Sequence, residues 1–203
     1  MIRKILVWDA PTRVFHWAQA LSFGVAYFTA ESERYRDIHI AFGYIMLALI
    51  LFRLLWGFIG TRYARFSSFL FKPGEIVAYL VSMFRRRQEH YLGHNPAGSV
   101  SVWLLLMLGL LLCVTGVMAL QDDAGDFVVE MHDIATDIML FVIFLHVAGV
   151  TVSSVLHHEN LVRTMITGLK SSASEIGIQR SHNWLGLLLL ALPVAFLFVF
   201  LRN

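Results

Sequence analysis

Cysteine is nearly absent from the 203-residue chain. The single one, Cys113, sits inside an apolar run, which excludes an intrachain disulfide, a four-cysteine zinc or iron–sulfur site, and the Cys-x-x-Cys-His signature of covalently attached haem. Charge is scarce as well, at 15% of residues against 58% hydrophobic ones, with a mean hydropathy of +0.68. That balance excludes an ordinary water-soluble domain. The net charge of +2 gives no reason to expect a nucleic-acid partner, and neither internal repeats nor low-complexity tracts occur.

What the chain has instead is long apolar runs separated by short charged blocks. Five runs, residues 14–30, 39–59, 99–120, 131–155 and 183–201, each approach the length that crosses a hydrocarbon core of about 30 Å at 1.5 Å per helical residue. Helices are expected because backbone polar groups cannot remain unpaired in lipid. The start, Met1 to Ala30, has the basic flank and apolar stretch of a secretory signal, but it is read as a retained helix because a histidine inside it has a role. Arg3, Lys4 and Arg13 precede the first run, and Arg62, Arg65, Lys72, Arg85, Arg86 and Arg87 fill the linker between the second and third. Arg163, Lys170 and Arg180 follow the fourth, whereas Asp122, Asp123, Asp126 and Glu130 after the third are balanced by no Lys or Arg. The bias of Lys and Arg to the cytoplasmic side puts the amino terminus inside and the carboxyl terminus outside.

Within the linker 60–98, Pro73 and Glu75 suit a helix start. Ile76, Val77, Leu80, Val81 and Phe84 then share one face, which describes a helix lying on the membrane surface. Asn160 is placed to cap a second short helix that Gly168 ends.

Nine histidines are present, and His16, His39, His132 and His146 fall within or at the start of spanning segments, where an ionisable side chain is expensive. His132 and His146 are fourteen residues apart on one helix, so their rings leave nearly the same face at depths roughly 21 Å apart. In an antiparallel bundle His39 shares the outer depth with His132, and His16 the inner depth with His146. Two imidazoles facing each other at one depth suit the two sides of a six-coordinate haem. Zinc or copper would more often gather three or four ligands at one depth. Gly43 lies one turn beyond His39, Gly149 follows His146 by three residues, and Gly24 lies two turns beyond His16. Such gaps admit a porphyrin or, equally, close helix packing. Arg53, fourteen residues beyond His39, faces the inner depth and suits a haem propionate or a quinone, and Arg36 suits an outer propionate. His90, His94, His157, His158 and His182 lie in loops or at helix ends, where solvated roles are expected.

The chain resembles the bacterial cytochrome b561 and nickel–iron hydrogenase b-type cytochrome subunit family. The resemblance rests on Trp8-Asp9-Ala10-Pro11-Thr12-Arg13-Val14-Phe15-His16-Trp17, on His39 with Gly43, and on the run from Phe52-Arg53-Leu54-Leu55-Trp56-Gly57 to Phe66. It continues in Gly93-His94-Asn95-Pro96-Ala97-Gly98, the histidine pair of the fourth segment, and Glu159 to Gly168. It implies a four-helix transmembrane bundle holding two b haems, ligated by His39 with His132 and by His16 with His146. The family role it implies is electron transfer between a periplasmic redox partner and the quinone pool. The segment Gln121 to Glu130 is shorter than the corresponding one in hydrogenase-associated members, and the run 183–201 lies beyond the resemblance.

The expectation is therefore an all-α integral membrane protein. Residues 1–170 form a diheme cytochrome b domain, and residues 171–203 a linker plus a fifth, carboxyl-terminal transmembrane helix. Its expected function is to carry electrons between a periplasmic c-type cytochrome or oxidoreductase and quinone. Two alternatives stand beside it: a stand-alone quinone reductase oxidising superoxide or another small reductant, and a haem-bearing anchor of a hydrogenase-like complex. A proton-relaying transporter is the reading that a haem spectrum would remove. The oligomeric state, a homo-oligomer included, is open at this level.

Overall fold

A computed structural model describes residues 3–85, 89–121, 125–172 and 176–202. Seven helices and one two-stranded ribbon are found among them: β1 (Arg3–Leu6), α1 (Ala10–Thr29), α2 (Arg36–Ile59), α3 (Pro73–Phe84), α4 (Pro96–Ala119), α5 (Asp126–Leu156), α6 (Leu161–Thr167), β2 (Leu169–Ser172) and α7 (Asn183–Phe200). Four of the helices are long and apolar enough to cross a membrane: α2 with the single 3-10 turn before it, α4, α5 and α7. The sequence divides there: α1, which carries Arg13, His16 and Gln19, is not among these four.

α1 and α4 begin a few residues earlier than hydropathy suggests because polar caps, not apolar residues, start them. Asp9 accepts a hydrogen bond from the Thr12 amide at 2.8 Å with Pro11 in the first turn of α1. Asn95 accepts from the Gly98 amide at 2.6 Å with Pro96 at the start of α4. Each cap satisfies a donor that the first helical turn leaves unpaired. Asn160 does the same for α6 through the Arg163 amide at 2.8 Å, and Gly168, at a φ of 80° that favours glycine, ends it.

The all-α expectation misses the ribbon. β1 and β2 pair antiparallel, Arg3 opposite Ser172 and Leu6 opposite Leu169, and the Gly168 carbonyl accepts from both the Val7 and Trp8 amides. Four-residue strands drawn from segments far apart in the sequence leave no periodic signal in either segment. The ribbon marks one end of the molecule, here called the ribbon end. α1 rises from it toward the far end, α2 returns, and α4, α5 and α7 follow alternately. α1 packs on α2 and α7, α4 on α2 and α5. Ile50, Met46 and Cys113 close the seam between α2 and α4, and Leu112, Ala135 and Met139 that between α4 and α5.

Large apolar side chains elsewhere stay exposed, among them Phe28, Phe58, Phe141, Phe144, Leu187 and Phe198. In water such an outer surface would aggregate; in lipid it is solvated. On α3, Tyr79 is buried while Val77, Leu80 and Val81 remain outside, which suits an apolar face laid on a bilayer.

Candidate functional site: two facing histidine pairs

At the far end His39, in the first turn of α2, faces His132, in the second turn of α5, with ring centroids 6.2 Å apart. His39 Nδ1 lies 2.8 Å from the Ala26 carbonyl. A carbonyl only accepts, so this nitrogen carries the proton and Nε2 keeps a free lone pair. His132 Nδ1 lies 3.0 Å from Thr115 Oγ1. The Thr115 hydroxyl donates to the Leu111 carbonyl at 2.8 Å, so toward the imidazole it accepts. The hydrogen-bond network thus assigns both far histidines the tautomer whose Nε2 is available to a metal.

Nearer the ribbon end His16 on α1 faces His146 on α5, ring centroids 6.3 Å apart. Trp17 stands edge-on to His16 at 4.9 Å and donates its indole N–H to the Met165 carbonyl at 3.3 Å. Arg13 donates to the Ile166 carbonyl at 2.6 Å. These two bonds tie α6 across the mouth of the pair. The two levels lie about 21 Å apart along α5, fourteen residues at 1.5 Å each.

The spacing within each pair can be set against that of two imidazoles on one metal atom. A nitrogen–metal bond of about 2 Å on each side of one metal atom, plus roughly 1 Å from nitrogen to ring centre, separates two imidazole centres by about 6 Å. Both pairs meet that value, while no group of three His, Cys, Asp or Glu residues assembles a conventional metal site among the described residues. A Cβ built at Gly24, Gly43 or Gly149 meets nothing within 4 Å. The glycines thus leave room beside their helices.

Arg53 is 3% exposed, its guanidinium 5.0 Å from the Phe66 ring centre, and its Nη1 has no hydrogen-bond partner. Arg36, at the start of α2, is exposed. Buried atoms without partners cluster on the ribbon side: Thr12 Oγ1, Arg13 Nε, His16 Nδ1, Gln19 Oε1, Arg53 Nη1 and His94 Nδ1. Orphaned polar atoms in an apolar setting are costly and call for a bound group.

Sequence reasoning missed four contributors. Thr115 and Gly116 press on His132, a Cβ at Gly116 lying 3.2 Å from its Cε1, and nothing but their place on α4 would have pointed to them. Asp9 is wholly buried and also accepts from Trp56 Nε1 at 3.1 Å and Thr61 Oγ1 at 2.5 Å, joining the start of α1 to the end of α2. Its signal was present in the Asp-x-Pro-Thr cap pattern. His94, expected to be solvated, is instead wedged between Trp8 at 4.8 Å and Phe69 at 4.5 Å. Burial, then Arg53, then His146, Lys170 and His16, lower its pKa to about 3, so it is a neutral imidazole.

A helical bundle with four helices long and apolar enough to cross a membrane, in which α5 contributes a histidine to each of two facing pairs, is consistent with the class of helical membrane cytochromes. The sequence profile of prokaryotic cytochrome b561 matches residues 7–168, and the chain belongs to that family of b-type, haem-carrying electron-transport proteins. It is 20% identical over 211 residues to a probable Ni/Fe-hydrogenase B-type cytochrome subunit of Rhizobium leguminosarum bv. viciae, covering 82% of this chain and 88% of the relative. It is 24% identical to the subunit of that name from Rhodobacter capsulatus, covering 81% and 80%. A probable Ni/Fe-hydrogenase 1 B-type cytochrome subunit of Escherichia coli K12 is 26% identical over 137 residues, 54% of this chain and 57% of the relative. No solved structure matches the chain.

Proposed function

We propose that the protein carries electrons across a bacterial inner membrane through two haem b groups, the far one held by His39 and His132 and the other by His16 and His146. The observation that carries this reading is the repeat of one metal-sized gap, 6.2 and 6.3 Å, at two levels. Bound there, haems would supply one-electron carriage. The chain holds the ligand rings in place: the Ala26 carbonyl and Thr115 fix the far pair, while Trp17 and α6 enclose the near one. Residues 1–170 form the cytochrome domain, with α1 as an additional span lined by the near pair, and α7 in residues 171–203 is the carboxyl-terminal span. The Lys and Arg bias assigns the ribbon end to the cytoplasm.

The expected circuit joins a periplasmic redox partner at the far haem to quinone near the ribbon-side haem. The relatives' names favour a membrane-bound oxidoreductase as that partner. Asp126 and Glu130, exposed at the start of α5, supply part of a negative far surface suited to a basic donor; Asp122 and Asp123 of that loop lie outside the described residues. The histidine pairs share no member, so His39→Ala should remove one haem's absorption bands and His146→Ala the other's in reduced-minus-oxidised spectra. Loss of both haems from a folded His39→Ala protein would contradict the pairing.

A further inference from the structure

The ribbon-side pair leaves a problem that its ligands do not solve. Arg53 and His94 come from different segments, α2 and the loop before α4, yet both border one aromatic floor. The Arg53 guanidinium lies 5.0 Å from the Phe66 ring centre, Phe66 meets Phe69 at 5.9 Å, and Phe69 meets His94 at 4.5 Å. His94 lies within electrostatic reach of both His16 and His146 as well as Arg53. Each of the two side chains ends in a buried nitrogen that no group among the described residues pairs. Asp9, the nearby carboxylate acting on Arg53, is already committed to the Thr12 amide, Trp56 and Thr61. Arg53 Nη1 is a cationic donor without an acceptor, and His94 Nδ1 donates in the tautomer that carries its proton there, so the two together suit an anionic acceptor.

We propose that His94 and Arg53 jointly hold a propionate carboxylate of the ribbon-side haem, Arg53 supplying the charge and His94 a neutral N–H. The inference rests on ligation of that haem by His16 and His146, and it deepens that reading by assigning the group that anchors the haem's polar edge. A carboxylate fits better than a quinone carbonyl because the one carboxylate near Arg53, that of Asp9, already accepts from Thr12, Trp56 and Thr61, and a charged acceptor pairs with the buried guanidinium more strongly than a neutral carbonyl does. Trp8 and Phe69 clamp the His94 ring on two sides, so its nitrogen is aimed by packing and not by a bond within the protein.

The sign of the effect is fixed by electrostatics. A donor on the propionate offsets its negative charge, and removing that donor stabilises the oxidised, more positive haem. His94→Phe keeps an aromatic ring between Trp8 and Phe69 but has no N–H. It should lower the midpoint potential of the ribbon-side haem by about tenfold in the reduction equilibrium, that is, about 59 mV for one electron, and leave the far haem unchanged. His94→Gln, which restores a donor, should recover most of the shift. The experiment is a spectroelectrochemical titration of the purified full chain, with haem content measured by pyridine haemochrome. If His94→Phe fails to retain the ribbon-side haem while His94→Gln retains it at near wild-type potential, donation is equally supported. Two haems titrating normally in both variants would overturn this inference alone, as would loss of the haem from both, which marks His94 as a packing residue. Altered quinone reduction with no change in potential would transfer His94 to the quinone and overturn it too. A wild-type chain holding a single haem would overturn the parent reading with it.

Discussion

Thr115→Val is the most informative single substitution at the far pair. Valine keeps the volume and branching of threonine and removes only the hydroxyl that accepts from His132 Nδ1–H at 3.0 Å. The cost of leaving a buried N–H unpaired is about 1–3 kcal/mol, and loss of such an outer hydrogen bond to a metal-bound histidine typically weakens the site by about 10–100-fold. The Leu112 carbonyl lies near the same ring as a substitute acceptor, which argues for the lower end, about 1.4 kcal/mol or tenfold. The imidazole also becomes a weaker electron donor once its N–H is no longer engaged, so the oxidised haem loses stabilisation and the far midpoint potential should rise. Haem retention during dilution in detergent and a redox titration of the two spectral components measure both effects. His16 and His146 lie one level away, so the ribbon-side component is an internal control. Equal haem retention and an unchanged far potential would refute the claim that Thr115 orients His132.

Two further substitutions test the packing around the ribbon end. A Cβ at Gly57 would fall against the ring of Phe66, which Trp103 at 4.6 Å and Phe69 at 5.9 Å prevent from retreating. Gly57→Ala should therefore cost about 1–3 kcal/mol, read as a lowered Tm, and an unchanged Tm would show that the ring yields freely. Lys170 is buried, with Nζ 3.2 Å from Glu159 Oε2 and 3.2 Å from the Tyr91 carbonyl. Lys170→Met leaves that carboxylate with His90, 3.4 Å away, and the more distant His157 among the described residues, and should cost roughly 2 kcal/mol, below the 3–5 of a fully buried pair because Glu159 is partly exposed. Lys170→Met combined with Glu159→Leu should recover more than half of the loss, and no recovery would mean that the ion pair itself is stabilising.

The four histidines were legible because each is an exception within its own segment, and an α-helix converts a spacing of fourteen into a shared face by fixed geometry. The short helix from Leu161 to Thr167 was legible for the same local reason, its cap and its glycine stop lying in the sequence beside it. Local reasoning could not reach partners supplied across the bundle. Thr115 and Gly116 matter only because α4 lies beside α5, and Asp9 does more than cap α1 only because the end of α2 returns to it. His94 reads as a loop histidine until the Trp8 and Phe69 rings close around it. The ribbon was invisible because its two strands are too short to show alternation and are joined only once the helices between them have folded back.

The central claim is that one chain holds two haems, each between two histidines. Quantitative pyridine haemochrome analysis of the fully loaded chain, with protein measured by amino-acid analysis, tests it most directly. The account predicts two haem b per polypeptide in the wild type, and one remaining in each of His39→Ala, His132→Ala, His16→Ala and His146→Ala. A wild-type ratio of one, or a single-histidine variant that still binds two, would contradict it.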